Sequence, residues 1–506
     1  MKSVCPGCNF GCGLYIQPAE PCGVVREFRK GCEVNEGKLC KFGVQLARYY
    51  FPPNASRVDG KEVALDEAVE EASKRLSSLD PVDAVEFVSF GGAPSEELLA
   101  LIELARARGA VPQMGLGVLS RLPKEAYPSI ATGAAYADVE SAKTVVLVGV
   151  DPHEQYPLIL RRILRAKQNG AKVVFCGWRD PRGLADELVL LKPSTWQEQL
   201  AGLRESLEGA EDAVVISDVH PLTEGAMLAH TLNLAKAIGA KLLLLKPFAN
   251  VSGMMLLLTP DELSAQKSPE QLISEVEQGS IKGLVVHEVD LLEALPQPER
   301  VRAALEKLDL LVYVSSRRSP MCDIAHVVIA PEQFWQKRGI VVNNEGRLLE
   351  LGGEGTEGLT ALSRLAVACG GSELSFEDAH ARVLAASGTE QVDEYSVPSY
   401  ERGEYPEVEV PAATNAERAL VLAYTPFTWR DSEEAYVVVG RKLVSEAHLK
   451  RGNLAIVRTD NGEGRYPFRL EHVADDVVLT FGKLPLAASS ITPLTSVENA
   501  RWYEAE

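Results

Sequence analysis

The chain has 506 residues, 46% of them hydrophobic, with 71 Asp and Glu against 52 Lys and Arg and a net charge of −19. That length suffices for about three or four domains with buried cores, while the acidic balance argues against a nucleic-acid groove, which needs a basic footprint. No apolar run reaches the ~20 residues of a membrane span, and neither a basic-plus-apolar leader nor a twin-arginine pattern opens the chain. A soluble cytoplasmic protein is expected.

The first element in chain order is a cysteine cluster. Of nine cysteines, Cys5, Cys8, Cys12, Cys22, Cys32 and Cys40 fall near the N-terminus, and Cys176, Cys322 and Cys369 are scattered. A disulfide framework does not suit an intracellular chain, where thiols stay reduced, so the cluster argues for metal. The spacing is Cys5-x2-Cys8-x3-Cys12-x27-Cys40, with Gly7, Gly11 and Gly13 relieving the backbone of the first loop. Three close thiolates and one distant one match the corners of a [4Fe–4S] cluster. A zinc ribbon usually pairs two CxxC units; only one is present, and the first histidine is His153. Iron–sulfur is therefore favoured over zinc. Cys22 and Cys32 stand as substitutes for Cys40. Lys41, directly after Cys40, is a cation placed to neutralise cluster charge or to bridge to a second cofactor, its plain alternative being a solvated lysine.

Beyond the cysteines, buried-strand runs alternate with amphipathic stretches, the signature of parallel sheets covered by helices. Strands are predicted at Ala84–Phe90, Thr144–Gly149, Lys172–Cys176, Ala213–Ser217, Leu242–Leu245, Gly283–His287 and Leu310–Val314. Helices are predicted at Leu65–Leu79, Ser95–Arg108, Leu158–Asn169, Gln197–Leu207, Thr223–Ile238 and Glu299–Leu308. The expected organisation is α/β: a cysteine segment over 1–58, Rossmann-like domains over 59–205 and 206–385, and a linker over 386–415. Short strands with turn signals at Gly452-Asn453 and Asp460-Asn461-Gly462 then predict a β-barrel over 416–506. No Ser/His/Asp or His-Glu-x-x-His pattern supports a hydrolase. His153 and His287 read as ordinary loop residues, and Cys176 and Cys322 as small buried hydrophobes.

Several segments carry a resemblance. Val145 to Pro157, with Gly149, Asp151, Pro152 and Glu154, is similar to a strand followed by G-x-N-P-x-E-x-x-P, with Asp151 in place of Asn. Ala185-Asp186 and Lys192-Pro193-Ser194-Thr195 are similar to A-D and P-G-T-D. Ala325 to Ile329 resembles A-D-V-V-L, and Gly339 to Arg347 resembles G-T-x-x-N-x-E-G-R. Ser445 to Val457 is similar to the helix and strand of a dinucleotide-binding barrel. Together with the cysteine spacing, these resemble the molybdopterin (bis-guanine-dinucleotide) oxidoreductase superfamily, which includes formate dehydrogenases and formylmethanofuran dehydrogenase and shares ancestry with the large iron–sulfur subunit of complex I. Cys40-Lys41-Phe42-Gly43 looks most like formylmethanofuran dehydrogenase, and Phe248 to Gly253 like the complex I subunit.

The resemblance implies a [4Fe–4S] cluster on Cys5, Cys8, Cys12 and Cys40, and a double-psi-type barrel at the C-terminus. It implies a molybdopterin guanine dinucleotide carrying Mo or W, contacted through Gly149, Asp151, Pro152, Glu154, Asn343 and Asn344, with Lys41 between cofactors. It also implies partner redox subunits in a hetero-oligomer. Where the superfamily places a Cys, selenocysteine or Ser metal ligand, this chain has Pro123, followed by Lys124, with Ser120 three residues away. Proline has no side-chain donor. Two readings follow: an oxidoreductase subunit passing electrons between cluster and pterin, or an electron-relay subunit without a working metal site.

Overall fold

The computed structural model describes residues 1–17, 24–50, 52–80, 84–400, 405–425, 435–482 and 485–500. Cys22 lies outside them. The chain divides into two compact, discontinuous units. The first comprises Met1–Thr132, Lys246–Leu292 and Glu299–Tyr405; the second comprises Gly133–Leu245, Glu293–Pro298 and Pro406–Glu506.

The first unit begins with a three-stranded antiparallel sheet, Lys2–Val4, Gly13–Gln17 and Val24–Phe28. Its main sheet has seven strands in the order Lys61–Glu62, Arg57–Val58, Val327–Ile329, Leu310–Val314, Ile281–His287, Ala84–Ser89 and Pro112–Gln113. The five strands from Val327–Ile329 to Pro112–Gln113 run parallel. Helix Leu65–Ser78 forms because Ala68, Val69, Ala72 and Leu76 recur at helical spacing, and all four are buried against this sheet's core. Helix Ser95–Ala107 buries an apolar stretch from Leu98 to Ile102, with Leu104 and Ala105, together with Ser95, Glu96 and Glu97 in its first turn. A separate hairpin, Arg338–Val342 with Leu348–Gly352, encloses the Asn343 to Arg347 turn. Gly91 has φ +82, and a Cβ there would meet the Val251 backbone nitrogen at 2.8 Å. Only glycine lets the loop after Ala84–Ser89 lie that close to the start of helix Val251–Leu257.

The second unit holds a five-stranded parallel sheet in the order Glu187–Leu190, Lys172–Gly177, Thr144–Val148, Ala213–Asp218 and Lys241–Leu245. It also holds a seven-stranded mixed half-barrel, with parallel pairs Ala419–Leu422 on Val477–Thr480 and Val437–Val439 on Gly462–Leu470. Leu420, Val437, Val439, Leu443, Ala455 and Val478 fill that half-barrel's core.

The architecture is thus mixed α/β with parallel sheets, as expected. All seven predicted α/β strands form, their ends displaced by no more than two residues. Their assignment to sheets is interleaved rather than consecutive: Ala84–Ser89 pairs with Ile281–His287, and the chain between them builds the second sheet. Apolar strand runs mark burial on both faces but carry no record of their partners.

Candidate functional site

Three places gather functional side chains. The first is the cysteine loop. Cys5 N–H donates to the Cys12 carbonyl at 2.8 Å and closes a tight loop around Cys8. Cys5, Cys12 and Cys32 are buried, Cys8 and Cys40 half-buried, and none is in a disulfide. Burial raises the Cys12 thiol well above its ordinary value, and the charges of Cys5, Cys8, Cys40 and Cys32 raise it further. Burial raises Cys40 too, against hydrogen bonds to its sulfur from the backbone of Gly43 and Phe42. Thiols crowded in this way oppose one another's ionisation, which is the electrostatic problem that thiolate–metal bonding solves. The donor set fits an iron–sulfur cluster, and the backbone N–H groups aimed at Cys40 are the kind that tune such clusters. Cys32 is a fifth neighbouring thiol; a Cβ on Gly13 would meet its Sγ at 2.8 Å. Lys41 opens the helix Lys41–Val44 and is exposed.

The second place is the switch point of the first unit's sheet, where connections from Ala84–Ser89 and Ile281–His287 leave in opposite directions. Such crevices are the usual ligand sites of open α/β sheets. Here the chain's own charges fill it. His287 bridges Ser89 Oγ at 3.2 Å and Glu97 Oε1 at 2.8 Å. The Lys337 ammonium lies 2.6 Å from Glu97 Oε1 and 2.8 Å from Glu288 Oε1. Ser316 donates to Glu288 through its N–H and its hydroxyl. Ligand atoms of Glu97, His287 and Glu288 lie close enough to surround a cation, and the Lys337 ammonium already serves there. Burial would raise Glu97, but Lys337 and His287 outweigh it and hold the carboxyl low. Burial drives Glu332, beside them, up to about 7. His287, expected as a loop residue, is a fully buried strand-end residue of this network.

The third place is the switch point of the second unit's sheet, between Thr144–Val148 and Ala213–Asp218. Gly149 takes φ +71 as the chain leaves the first of these strands, and its N–H donates to the Cys176 carbonyl. A cleft here is lined by Gly149, Gln155, Trp178, Asp218, His220 and Tyr424. Gln155 holds it together, donating to Asp218 Oδ2 at 3.0 Å and to the Tyr424 carbonyl at 2.8 Å. Burial pushes Asp218 up to about 7 and His220, stacked on Tyr424, down to about 3.

Beside the same sheet edge lies an open cavity of about 820 Å³, bordered by Lys192, Arg441, Glu471, His472 and Asp475. Glu471 is paired with Arg179 and His472 with Asp180. Among the described residues, neither Lys192 nor Arg441 has a carboxylate partner. Two unpaired cations in a concave wall suit an anionic group such as a phosphate.

Asp151, which stands where the resemblance has Asn, is neutralised within the chain. Arg179, 3% exposed, donates from Nε to Asp151 Oδ2 at 3.0 Å and from Nη1 to Glu471 at 2.8 Å. Glu154 sits on the outer side, 2.7 Å from Arg182. Burial opposes the Asp151 charge, but His153 and Arg179 outweigh it, so the carboxyl lies below its usual value. A depressed carboxyl contributes stability above its unfolded pKa, about 3.9, and loses it as pH falls through the folded value. Arg179→Lys keeps the charge and loses the planar fork; it is expected to cost about 1–2 kcal/mol near neutral pH. That difference should shrink in denaturation curves as pH falls below about 3.9 and the Asp151 carboxyl becomes protonated.

Asn343 and Asn344 behave differently from one another. Asn343 closes its own turn, accepting from Arg347 N–H at 2.9 Å and donating to the Phe10 carbonyl at 3.2 Å. The Asn344 N–H donates to the Asn9 carbonyl. Pro123 precedes a short 3-10 turn, with Ser120, Arg121 and Lys124 exposed around it. Ser120 Oγ donates to Gly117 O, and Lys124 pairs with Asp261. This segment presents no buried metal donor. Sequence reasoning misses Asn9, Arg179, Glu97 and Lys337, whose partners are remote in the chain.

A family model for molybdopterin oxidoreductases matches residues 59–351. The chain is 28% identical over 197 residues to the F420-dependent formate dehydrogenase 1 subunit alpha of Methanococcus maripaludis, an alignment covering 36% of this chain and 28% of that one. It is 26% identical over 259 residues to an NADH-quinone oxidoreductase subunit of Streptomyces coelicolor, covering 43% of this chain and 31% of that one. The matched region thus spans less than a third of these relatives. Acetylene hydratase from Pelobacter acetylenicus shares the fold, with TM-score 0.62 at 12% identity over 95% of this chain and 92% of that one. Among the described residues, no helix is long and apolar enough to cross a membrane. Since the family model covers more than half of its length, the chain belongs to the molybdopterin oxidoreductase family.

Proposed function

We propose that this chain is the iron–sulfur subunit of a molybdopterin-type oxidoreductase complex, formate or formylmethanofuran dehydrogenase-like, working in the cytoplasm with other redox subunits. Cys5, Cys8, Cys12 and Cys40 hold a [4Fe–4S] cluster within the 1–58 segment. Lys41 offsets cluster charge from the exposed side. In the second unit, the Gly149 to Glu154 loop and the double-psi-type barrel over 416–506 embrace a pterin dinucleotide, with Lys192 and Arg441 taking its phosphates. Bound there, the pterin supplies the Mo or W centre and the cluster supplies one-electron chemistry. The chain's own part is to orient both groups, to bury the thiolates away from water, and to set local charge through Arg179 and the Cys40 backbone donors.

The observation that carries this reading is a loop closed by the Cys5 N–H to Cys12 carbonyl hydrogen bond, on which Cys5 and Cys12 are buried and Cys8 half-buried, with half-buried Cys40 beyond it and none of the four in a disulfide. A second reading, a relay without a working metal centre, is favoured by the exposed Pro123 segment, which offers the metal no side chain. An anaerobic redox titration of the full chain tests the proposal. Reversible one-electron bleaching with a cluster EPR signal is expected, and a colourless, redox-silent chain refutes it.

A further inference from the structure

Charge is unevenly spread along this chain. Residues 1–58 hold eight Lys and Arg against four Glu, whereas the rest holds 44 Lys and Arg against 67 Asp and Glu. Within that basic segment, cations gather beside Cys40. Lys38 stands two residues before it and Lys41 directly after it, and Lys30, Lys38 and Lys41 are all exposed. Gly37 takes φ +69, and a Cβ there would meet Lys30 Cγ at 2.9 Å, so the chain leading into Lys38 lies on the Lys30 stem. Among the described residues, neither Lys30 nor Lys38 has a carboxylate partner. Glu33 and Glu36 stand in the same stretch, but the segment keeps its excess of positive charge.

An apolar spot accompanies these cations. Val44 is 56% exposed, and its N–H donates to the Cys40 carbonyl at 3.1 Å, one helical turn from that cysteine. Leu39 is half-buried against Gly43, where a Cβ would meet its Cδ2 at 3.1 Å. Of the proposed cluster ligands, Cys8 and Cys40 are half-buried and therefore lie nearest to solvent. An apolar centre with a charged rim is the anatomy of a protein interface, and transient redox encounters use small ones.

Resting on the cluster assignment above, we propose that Lys30, Lys38 and Lys41, set around Val44, form the docking surface for an acidic one-electron carrier protein that exchanges electrons with the cluster at its Cys40 edge. The two partners alone balance the step. One electron leaves the reduced carrier, which becomes oxidised, and enters the oxidised cluster, which becomes reduced, with no bond made or broken. The basic surface singles out this face of an otherwise acidic chain, and such steering raises association rates about 10- to 1,000-fold at low salt.

The test uses the full chain, prepared without air, and stopped-flow mixing of its oxidised cluster with a pre-reduced acidic [2Fe–2S] ferredoxin. The second-order rate of electron transfer should fall about tenfold as salt rises to ~0.5 M. At low salt, Lys30→Glu and Lys38→Glu should each slow it about threefold, and together about tenfold, at wild-type iron content and midpoint potential. Val44→Asp, which sets a carboxylate at the centre of the face, should also slow it about tenfold. Wild-type rates in the double charge reversal and in Val44→Asp overturn the proposal. So does a rate that rises with salt, which assigns the face to a basic partner, and so does the absence of any transfer to an iron-loaded wild-type chain. A changed midpoint potential in the lysine variants with an unchanged salt dependence overturns it too, restricting the lysines to offsetting cluster charge. A chain that holds no iron refutes the cluster reading itself, and the docking surface falls with it.

Discussion

Lys337→Met should be among the most destabilising single substitutions in the chain. It removes the ammonium that touches both Glu97 and Glu288, whose side chains are 5% and 6% exposed. Breaking a buried ion pair by deleting one partner costs about 3–5 kcal/mol, because the remaining charge keeps its desolvation penalty without its attraction. Against a typical domain stability of about 5–15 kcal/mol, such a loss is severe. The first unfolding transition in a urea titration should move to much lower denaturant. Adding Glu97→Gln and Glu288→Gln to the same chain should restore most of the loss, since replacing every member of a buried charge cluster with neutral groups of similar shape is often nearly neutral. A single Lys337→Met variant within about 1 kcal/mol of wild type would show that water reaches these carboxylates.

Cys40→Ser should abolish the cluster. Cys40 is the one proposed ligand that comes from outside the Cys5 to Cys12 loop, and its sulfur receives backbone hydrogen bonds from Gly43 and Phe42. A serine hydroxyl in its place is a harder and more basic ligand than a thiolate. Iron should fall from about four atoms per chain to a minor fraction, with loss of the visible absorbance. Cys12→Ser should do the same, whereas Cys176→Ser should leave iron untouched, because Cys176 is an isolated, fully buried thiol pushed up to about 12. Full absorbance in Cys40→Ser would transfer the fourth ligand to Cys32 or Cys22.

What is legible in the sequence is what neighbouring residues encode. The Val and Leu runs at Thr144–Val148 and Leu310–Val314 declare themselves as buried strands, and the cysteine spacing is what suggests the proposed metal site. The remaining features depend on residues far apart in the chain. Lys337 meets Glu97 across 240 positions, and Arg179 meets Glu471 across 292. Neither pairing leaves a local pattern, so the filling of one switch point by charge and the neutralisation of Asp151 at the other are invisible there. The Asn343 to Arg347 segment lies between these cases. Its residues suit both a turn and a cofactor contact; Asn343 is spent on the turn, while Asn344 is left with an amide to offer.

The charge distribution separates the two switch points in functional terms. A crevice already holding Glu97, Glu288 and Lys337 has no need of a further ion. The second unit keeps Lys192 and Arg441 unpaired among the described residues at an open cavity. That difference supports the proposed placement of an anionic dinucleotide in the second unit.

The most direct measurement is the metal and pterin content of the full chain prepared without air. About four iron atoms per chain are expected, with pterin released on denaturation and molybdenum or tungsten accompanying it. Iron without pterin would leave the relay reading alone. Zinc in place of iron, with no pterin, would contradict both the cluster and the pterin assignments.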